Sequence, residues 1–266
     1  MSETVDAYLR FAEFYDLEYD QYRDDLELYR HFAVEANGPV LELGCGSGRV
    51  LRALEDLGLP LAGIDSSEAM LRLASGRLSA DTTLVHARME DLQATRLPDA
   101  PYWMAFSAIN TFLHLPDADA QLAALEAIRS VVIDGGLLLL DLMTPDPLYL
   151  AGLDGRVTLE YSGTMADGRR LDKWTARSHD LERQIIHTTV LFDTIDPLNG
   201  VVTRIVDEYD TRYIHRWELE HLLARAGWQL IALYGTYDLD PYRAESERMI
   251  ALATWNDGPL SPIRKD

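Results

Sequence analysis

Residues 40–50, VLELGCGSGRV, limit the possible folds more than any other stretch: an apolar run meets three alternating glycines, Gly44, Gly46 and Gly48, and then enters a helical pattern. A strand that turns abruptly into a helix needs backbone conformations that side chains disfavour, and glycine adopts them without a steric penalty. The same turn lets bare backbone approach a ligand and aims the N-terminal amides of the helix at it. The stretch therefore reads as the floor of a nucleotide-type cofactor site, at the carboxyl end of a strand in an α/β sheet. Asp65 closes the next apolar run, 21 residues beyond Gly44. A carboxylate there can accept from both hydroxyls of a ribose.

Two cofactor chemistries compete for this turn. A dinucleotide asks for G-x-G-x-x-G, but Arg49 stands three places after Gly46 and the third glycine comes one place early. Glu42, inside the strand two residues before Gly44, would repel a pyrophosphate and suit a cationic ligand. S-adenosylmethionine, with a sulfonium and an ammonium group, fits that polarity.

The first 150 residues alternate short apolar runs with amphipathic windows, the pattern of a parallel sheet with crossover helices. Strands are predicted at 39–43, 61–64, 82–85, 103–108 and 137–142, and helices at 50–57, 67–78 and 118–131. From about residue 155 the pattern changes to long alternation, with turn signals at Ala166-Asp167-Gly168 and at 196–200, which predicts four antiparallel strands. A helix at 217–226 and two strands, WQLIALYG and RMIALATW, are expected to rejoin the main sheet. The predicted fold is α/β, a core of residues 1–150 and 215–266 interrupted by an antiparallel β module at 151–214.

Within VVTRIVDEYDTRYI, Arg204, Glu208, Asp210 and Arg212 fall on one face, predicted wet, and Val201, Ile205, Tyr209 and Tyr213 on the other, predicted covered. Asp207 breaks the pattern as a carboxylate on the apolar face, and needs either a partner such as Arg212 or Lys173 or a polar ligand. Arg169, Lys173 and Arg177 share a strand face, read as a solvated stripe paired with acids or as a receiver of an anionic acceptor.

Composition narrows the partners. Hydrophobic residues make up 47% and charged residues 26%, an ordinary globular balance. The formal net charge of −20 repels phosphate backbones and anionic lipid, so neither nucleic acid nor membrane is an expected partner. Cys45 is the only cysteine and the seven histidines form no H-E-x-x-H, so no disulfide and no metal site are expected. An acidic N-terminal stretch and the lack of a run of ~20 apolar residues point to a cytoplasmic protein. A homodimer is left open.

ELGCGSGR, GIDSSEAM with Asp65, ARMEDL at 87–92, AINTFLHL after the fourth strand, DGGLLLLDL and the closing AGW strand pair together resemble class I S-adenosylmethionine-dependent methyltransferases. The resemblance implies a Rossmann-like, seven-stranded, mostly parallel sheet with its last strand reversed, and methyl transfer from the cofactor to a nucleophile. It also implies Gly44, Gly46 and Gly48 around the methionine moiety, Asp65 on the ribose, Ser66 and Met70 near the adenosine, and the Met89 amide facing the adenine edge. Arg88 stands where such enzymes often carry an acid for the adenine amino group, and spacing does not choose between Glu90 and Asp91 as its replacement. The N-terminal YDLEYDQYRDD and the inserted strands are similar to small-molecule methyltransferases such as the amino-sugar N-methyltransferases and glycine N-methyltransferase. That similarity implies a lid over cofactor and a small-molecule acceptor, methylated on nitrogen or oxygen.

The expected site thus has Glu42 and the glycine turn for the cofactor, with His114 and Tyr15 as catalytic candidates and Tyr19, Tyr22, Asn110, Asp207 and His215 as acceptor-binding candidates. His114 follows the fourth strand on the ligand side, where it serves either as a base or as a cap for the next helix. The tyrosines serve either as a lid or as the covered face of a helix. The alternative functions are a non-catalytic protein binding S-adenosylmethionine or S-adenosylhomocysteine and, further off, a dinucleotide oxidoreductase.

Overall fold

A computed structural model describes residues 12–20 and 22–256, leaving the side chains of Ala12, Glu13, Tyr15 and Glu18 outside that description. Its centre is a parallel sheet of β1 (Val40–Leu43), β2 (Leu61–Asp65), β3 (Thr83–His86), β4 (Tyr102–Ser107) and β5 (Val132–Met143). Every residue of β1 and β2 is buried, as the near-continuous apolarity of parallel strands requires. Alternation sends Leu41, Leu43 and Leu140 towards α5 (Ala118–Val131) and α7 (Arg216–Arg225). It sends Val40, Met104 and Leu139 towards α2 (Leu26–Ala36) and α3 (Arg49–Leu54). Ser67 caps α4 (Glu68–Arg77) by accepting from the Met70 amide, and Asp117 caps α5 by accepting from the Ala120 amide.

The strand order is β10-β11-β5-β4-β1-β2-β3, where β10 (Gln229–Tyr234) and β11 (Arg248–Thr254) run antiparallel to their neighbours. The sheet is therefore mostly parallel and seven-stranded, with the reversed strand the resemblance implies. Strand order reverses between β1 and β4, the switch point where open α/β sheets form a crevice at the carboxyl ends of their strands. Two boundaries differ from the sequence reading. β5 begins at Val132, five residues before the predicted start at 137, because Val132 still pairs with Tyr102 across a register shift. α3 ends at Leu54 and continues only as a 3₁₀ turn, Glu55–Leu57.

After the short α6 (Pro147–Ala151), β6 (Asp154–Thr164), β7 (Arg170–Asp180), β8 (Ile185–Ile195) and β9 (Val202–Arg212) form a separate four-stranded antiparallel sheet in that order. It packs against the core through Phe192, whose ring stacks on Phe14 of α1 (Ala12–Tyr19) with centroids 4.8 Å apart. Met70 of α4 joins the same cluster, with Val190 and Leu171.

Three expectations for this module are corrected. Arg212, placed on the wet face, is buried, because Gln121 of α5 and Glu218 of α7 close over its guanidinium and accept from it at 2.7 and 2.5 Å. It is therefore committed away from Asp207. Lys173, read as part of a solvated stripe, is only 3% exposed and turns inward to Glu160. Arg169 does not join it, since it pairs with Asp167 in the β6–β7 turn. Val201 is exposed despite its covered face, because it precedes β9 and lies beyond the reach of the core.

Candidate functional site

Gly44, Gly46 and Gly48 take φ of 69°, 54° and 80°, the left-handed region that costs an L side chain about 1–2 kcal/mol. Close approach adds a second reason at Gly44, where a Cβ would lie 2.2 Å from Thr111 Cγ2 and 3.3 Å from Met89 Cε. The turn after β1 is thereby brought against Met89 and the segment after β4. Gly48 plays another part, because a side chain there would run into Leu78 at the end of α4. The Cys45 thiol is packed inside the turn, and burial pushes its pKa up, so it stays protonated and unreactive.

Asp65, at the tip of β2, accepts from the Gly46 amide and the Ser67 amide, each at 2.8 Å. The two bonds fix its carboxylate beside the glycine turn. Glu42 is 2% exposed within β1, and its Oε2 has no hydrogen-bond partner among the described residues. Burial pushes its pKa up to about 8, against the lowering pull of Arg49. Ser66 is exposed, with its carbonyl 2.9 Å from His86 Nε2. Met70 lies in the cluster between α4 and the inserted sheet, and Met89 is buried beside the turn.

Arg88 is turned outward and donates to Glu90 at 2.6 Å, leaving no role for it on an adenine amino group, which is itself a donor. Arg88→Asp is accordingly expected to change the calorimetric affinity for S-adenosylhomocysteine by less than about twofold, or to improve it. A large loss would assign Arg88 a part in holding the ligand.

The segment after β4 is held in an uncommon shape. Ile109 and Asn110 have φ of 37° and 66°, and a β-branched residue rarely enters this region. The Asp141 carboxylate accepts from the Ile109 amide at 3.2 Å, the Asp141 carbonyl accepts from the Asn110 amide at 2.9 Å, and the Asn110 side-chain oxygen accepts from the Met143 amide at 2.6 Å. These bonds to β5 hold the distorted backbone and deliver the 3₁₀ turn Thr111–His114 to the crevice. Asp141 also accepts from Tyr29 at 2.9 Å, from Tyr237 at 3.1 Å and from Arg248 Nε at 2.8 Å. Sequence reasoning missed it, although a lone acid in GGLLLLDL was a usable signal.

His114 is open to solvent at the crevice yet surrounded by protein, and desolvation lowers its pKa to about 4. The imidazole is neutral at pH 7 and can accept a hydrogen bond. Its ring lies 5.4 Å from that of Tyr209 on β9, so the segment after β4 meets the inner face of the inserted sheet. Strand pairing places Thr175, Val190 and Asp207 in one row of that face and Arg177, Thr188 and Tyr209 in the next. Glu160 lies between Lys173 at 3.7 Å and Arg177. Burial alone would raise the Glu160 pKa, but the hydrogen bonds from Arg177 and Thr175 and the two cations hold it below the usual range.

The other candidates separate. Tyr19 lies under the Lys173 ammonium, 5.9 Å from ring centre to nitrogen, and so joins the inserted sheet. Tyr22 turns away, with its ring beneath Arg49 and edge-on to Tyr237. His215 sits exposed before α7 with its ring edge-on to Tyr213, beyond the end of β9. The Tyr15 side chain lies outside the described residues.

Comparison with known proteins agrees with this geometry. Residues 40–136 match the methyltransferase domain family. The cypemycin N-terminal methyltransferase of a Streptomyces species is 26% identical over 214 residues, covering 80% of this chain and 81% of that protein. The crystal structure of an S-adenosylmethionine-dependent methyltransferase from Clostridium acetobutylicum shares the fold, with a TM-score of 0.74 at 16% identity over 94% of this chain and 99% of that one. The sugar N-methyltransferase of a Streptoalloteichus species does likewise, at 0.73 and 19% identity over 93% of each chain.

The residues present suit S-adenosylmethionine. Glu42, mostly protonated at pH 7 as it stands, would ionise beside a cationic group, the glycine turn admits close approach, and the Asp65 carboxylate lies beside that turn.

Proposed function

We propose that this chain, an S-adenosylmethionine-dependent methyltransferase, methylates the nitrogen or oxygen of a small molecule held between the glycine turn and the inner face of the inserted sheet. The observation that carries this reading is the contact of His114 with Tyr209, which joins the cofactor crevice to a half-buried sheet face bearing Glu160, Lys173, Arg177 and Asp207. Charged groups on a half-buried face are costly unless they pair with one another or with a polar ligand. An acceptor amine or alcohol provides such a ligand. One structural relative, the sugar N-methyltransferase, is named for transfer to nitrogen, which favours an amine.

The bound cofactor would supply a methyl group on a sulfonium, an electrophile that needs no covalent help from the protein. Glu42 would face its cationic end, and Asp65 would accept from its ribose. The chain's own contribution is then positioning and exclusion of water, which can supply much of the acceleration of a displacement. An amine must arrive neutral to attack, and His114, itself neutral, can accept a hydrogen bond from its N–H, the proton released after transfer passing to water. Asp207 and Tyr209 would orient the acceptor from the roof.

Incubation with methyl-labelled S-adenosylmethionine and a panel of small amines and alcohols tests the reading. Label transferred to a panel member supports it. Tight S-adenosylhomocysteine binding without transfer to any member would favour a non-catalytic binding protein instead. With the acceptor so identified, Asp207→Asn is expected to raise KM about tenfold while the melting temperature and cofactor affinity hold, since the change removes one charge contact. A lowered melting temperature with unaltered kinetics would leave Asp207 a structural role only.

A further inference from the structure

Outside the crevice, a cavity of about 320 Å³ lies between α1, α2, α3 and α4. Four arginines, Arg23, Arg49, Arg52 and Arg77, line it together with Asp20. In a chain of net charge −20, such a gathering of guanidinium groups needs a reason.

Two of the four are buried and locked. The Arg49 fork meets Asp25 at 2.8 and 2.5 Å and also donates to the Tyr22 carbonyl at 2.9 Å. Arg77 is paired with Asp16 at 2.7 Å and with Asp20 at 3.0 Å. Its Nη1 is fully buried and, although close to Asp20, makes no aligned hydrogen bond there. The other two are uncommitted. Among the described residues the Arg52 guanidinium makes neither a hydrogen bond nor an ion pair and acts only through its charge on Glu55, and the Arg23 guanidinium reaches only the Tyr22 carbonyl, at 3.4 Å.

Holding α1 against α4 accounts for Arg77, and holding α2 against α3 accounts for Arg49, but neither task needs Arg23 or Arg52. Guanidinium forks match the oxygens of phosphate, and the paired Arg49 and Arg77 place fixed guanidinium groups beside the two exposed ones. The volume falls at the lower end of small-ligand pockets. We propose that this cavity is a second ligand site, which binds a phosphate-bearing small anion through Arg23 and Arg52, beside the paired Arg49 and Arg77. The anion is either free phosphate or a phosphate ester, since both present the same oxygens.

Titration calorimetry on the full chain at constant ionic strength, with orthophosphate and separately with glycerol 3-phosphate, tests the site. The wild type is expected to bind at least one of them saturably, and the Arg23→Ala/Arg52→Ala double variant at least tenfold more weakly. Both substituted residues are exposed, so the variant's melting temperature without anion and its S-adenosylhomocysteine affinity should match the wild type. Tighter binding of glycerol 3-phosphate would assign the site to an ester, and tighter binding of orthophosphate to the free ion. No saturable binding by the wild type, equal binding by the double variant, or displacement of the anion by S-adenosylhomocysteine would each overturn the proposal. None of these outcomes bears on methyl transfer.

Discussion

Asp65→Ala is expected to weaken S-adenosylhomocysteine binding by at least about tenfold. Hydrogen bonds to a charged group are worth about 1.5–3 kcal/mol each, and about 1.4 kcal/mol is a factor of ten. A ribose offers Asp65 two hydroxyls. The same change strips the Gly46 and Ser67 amides of their acceptor, which loosens the glycine turn and adds to the loss. Asp65→Asn keeps an oxygen for one of those amides and is expected to fall between wild type and alanine. Calorimetry is the check, and equal affinities for wild type and Asp65→Ala would remove Asp65 from the cofactor site.

The largest loss of stability is expected from Asp141→Ala. That carboxylate is fully buried and receives Tyr29, Tyr237, Arg248 and the Ile109 amide, which come from four separate parts of the chain. Removing it leaves the partly buried Arg248 without its counter-charge and two phenols without an acceptor, and breaking a buried pair in this way costs about 3–5 kcal/mol. In a chain of this size that corresponds to a fall in melting temperature on the order of 10 °C. Asp141→Asn retains the shape and should lose less. Calorimetric unfolding within about 1 kcal/mol of wild type for the alanine variant would show that the network relaxes around the gap, and that Ile109 keeps its conformation without it.

The glycine turn was legible from sequence because its cause is local. Positive φ at positions 44, 46 and 48 is a property of single residues, and an apolar run before them with a helical window after them leaves few other shapes. The same holds for the buried strands of the main sheet, where continuous apolarity requires cover on both faces, and for the antiparallel module, where alternation and turn residues recur.

What failed to carry over was everything decided by the element lying opposite. Alternation correctly groups Lys173 with Arg177, but the same pattern serves a wet face and a covered one, and only the packing of the module on α1 and α4 turned that face inward. Arg212 was buried by Gln121, 91 residues earlier, and by Glu218 on the next helix. The hub at Asp141 joins Tyr29, 112 residues before it, to Arg248, 107 residues after it. Sequence by itself determined which backbone shapes and which faces this protein has, because those follow from neighbouring residues. Tertiary structure alone decided which charges meet and which are shut away from water, because a side chain's solvation depends on what the fold lays against it.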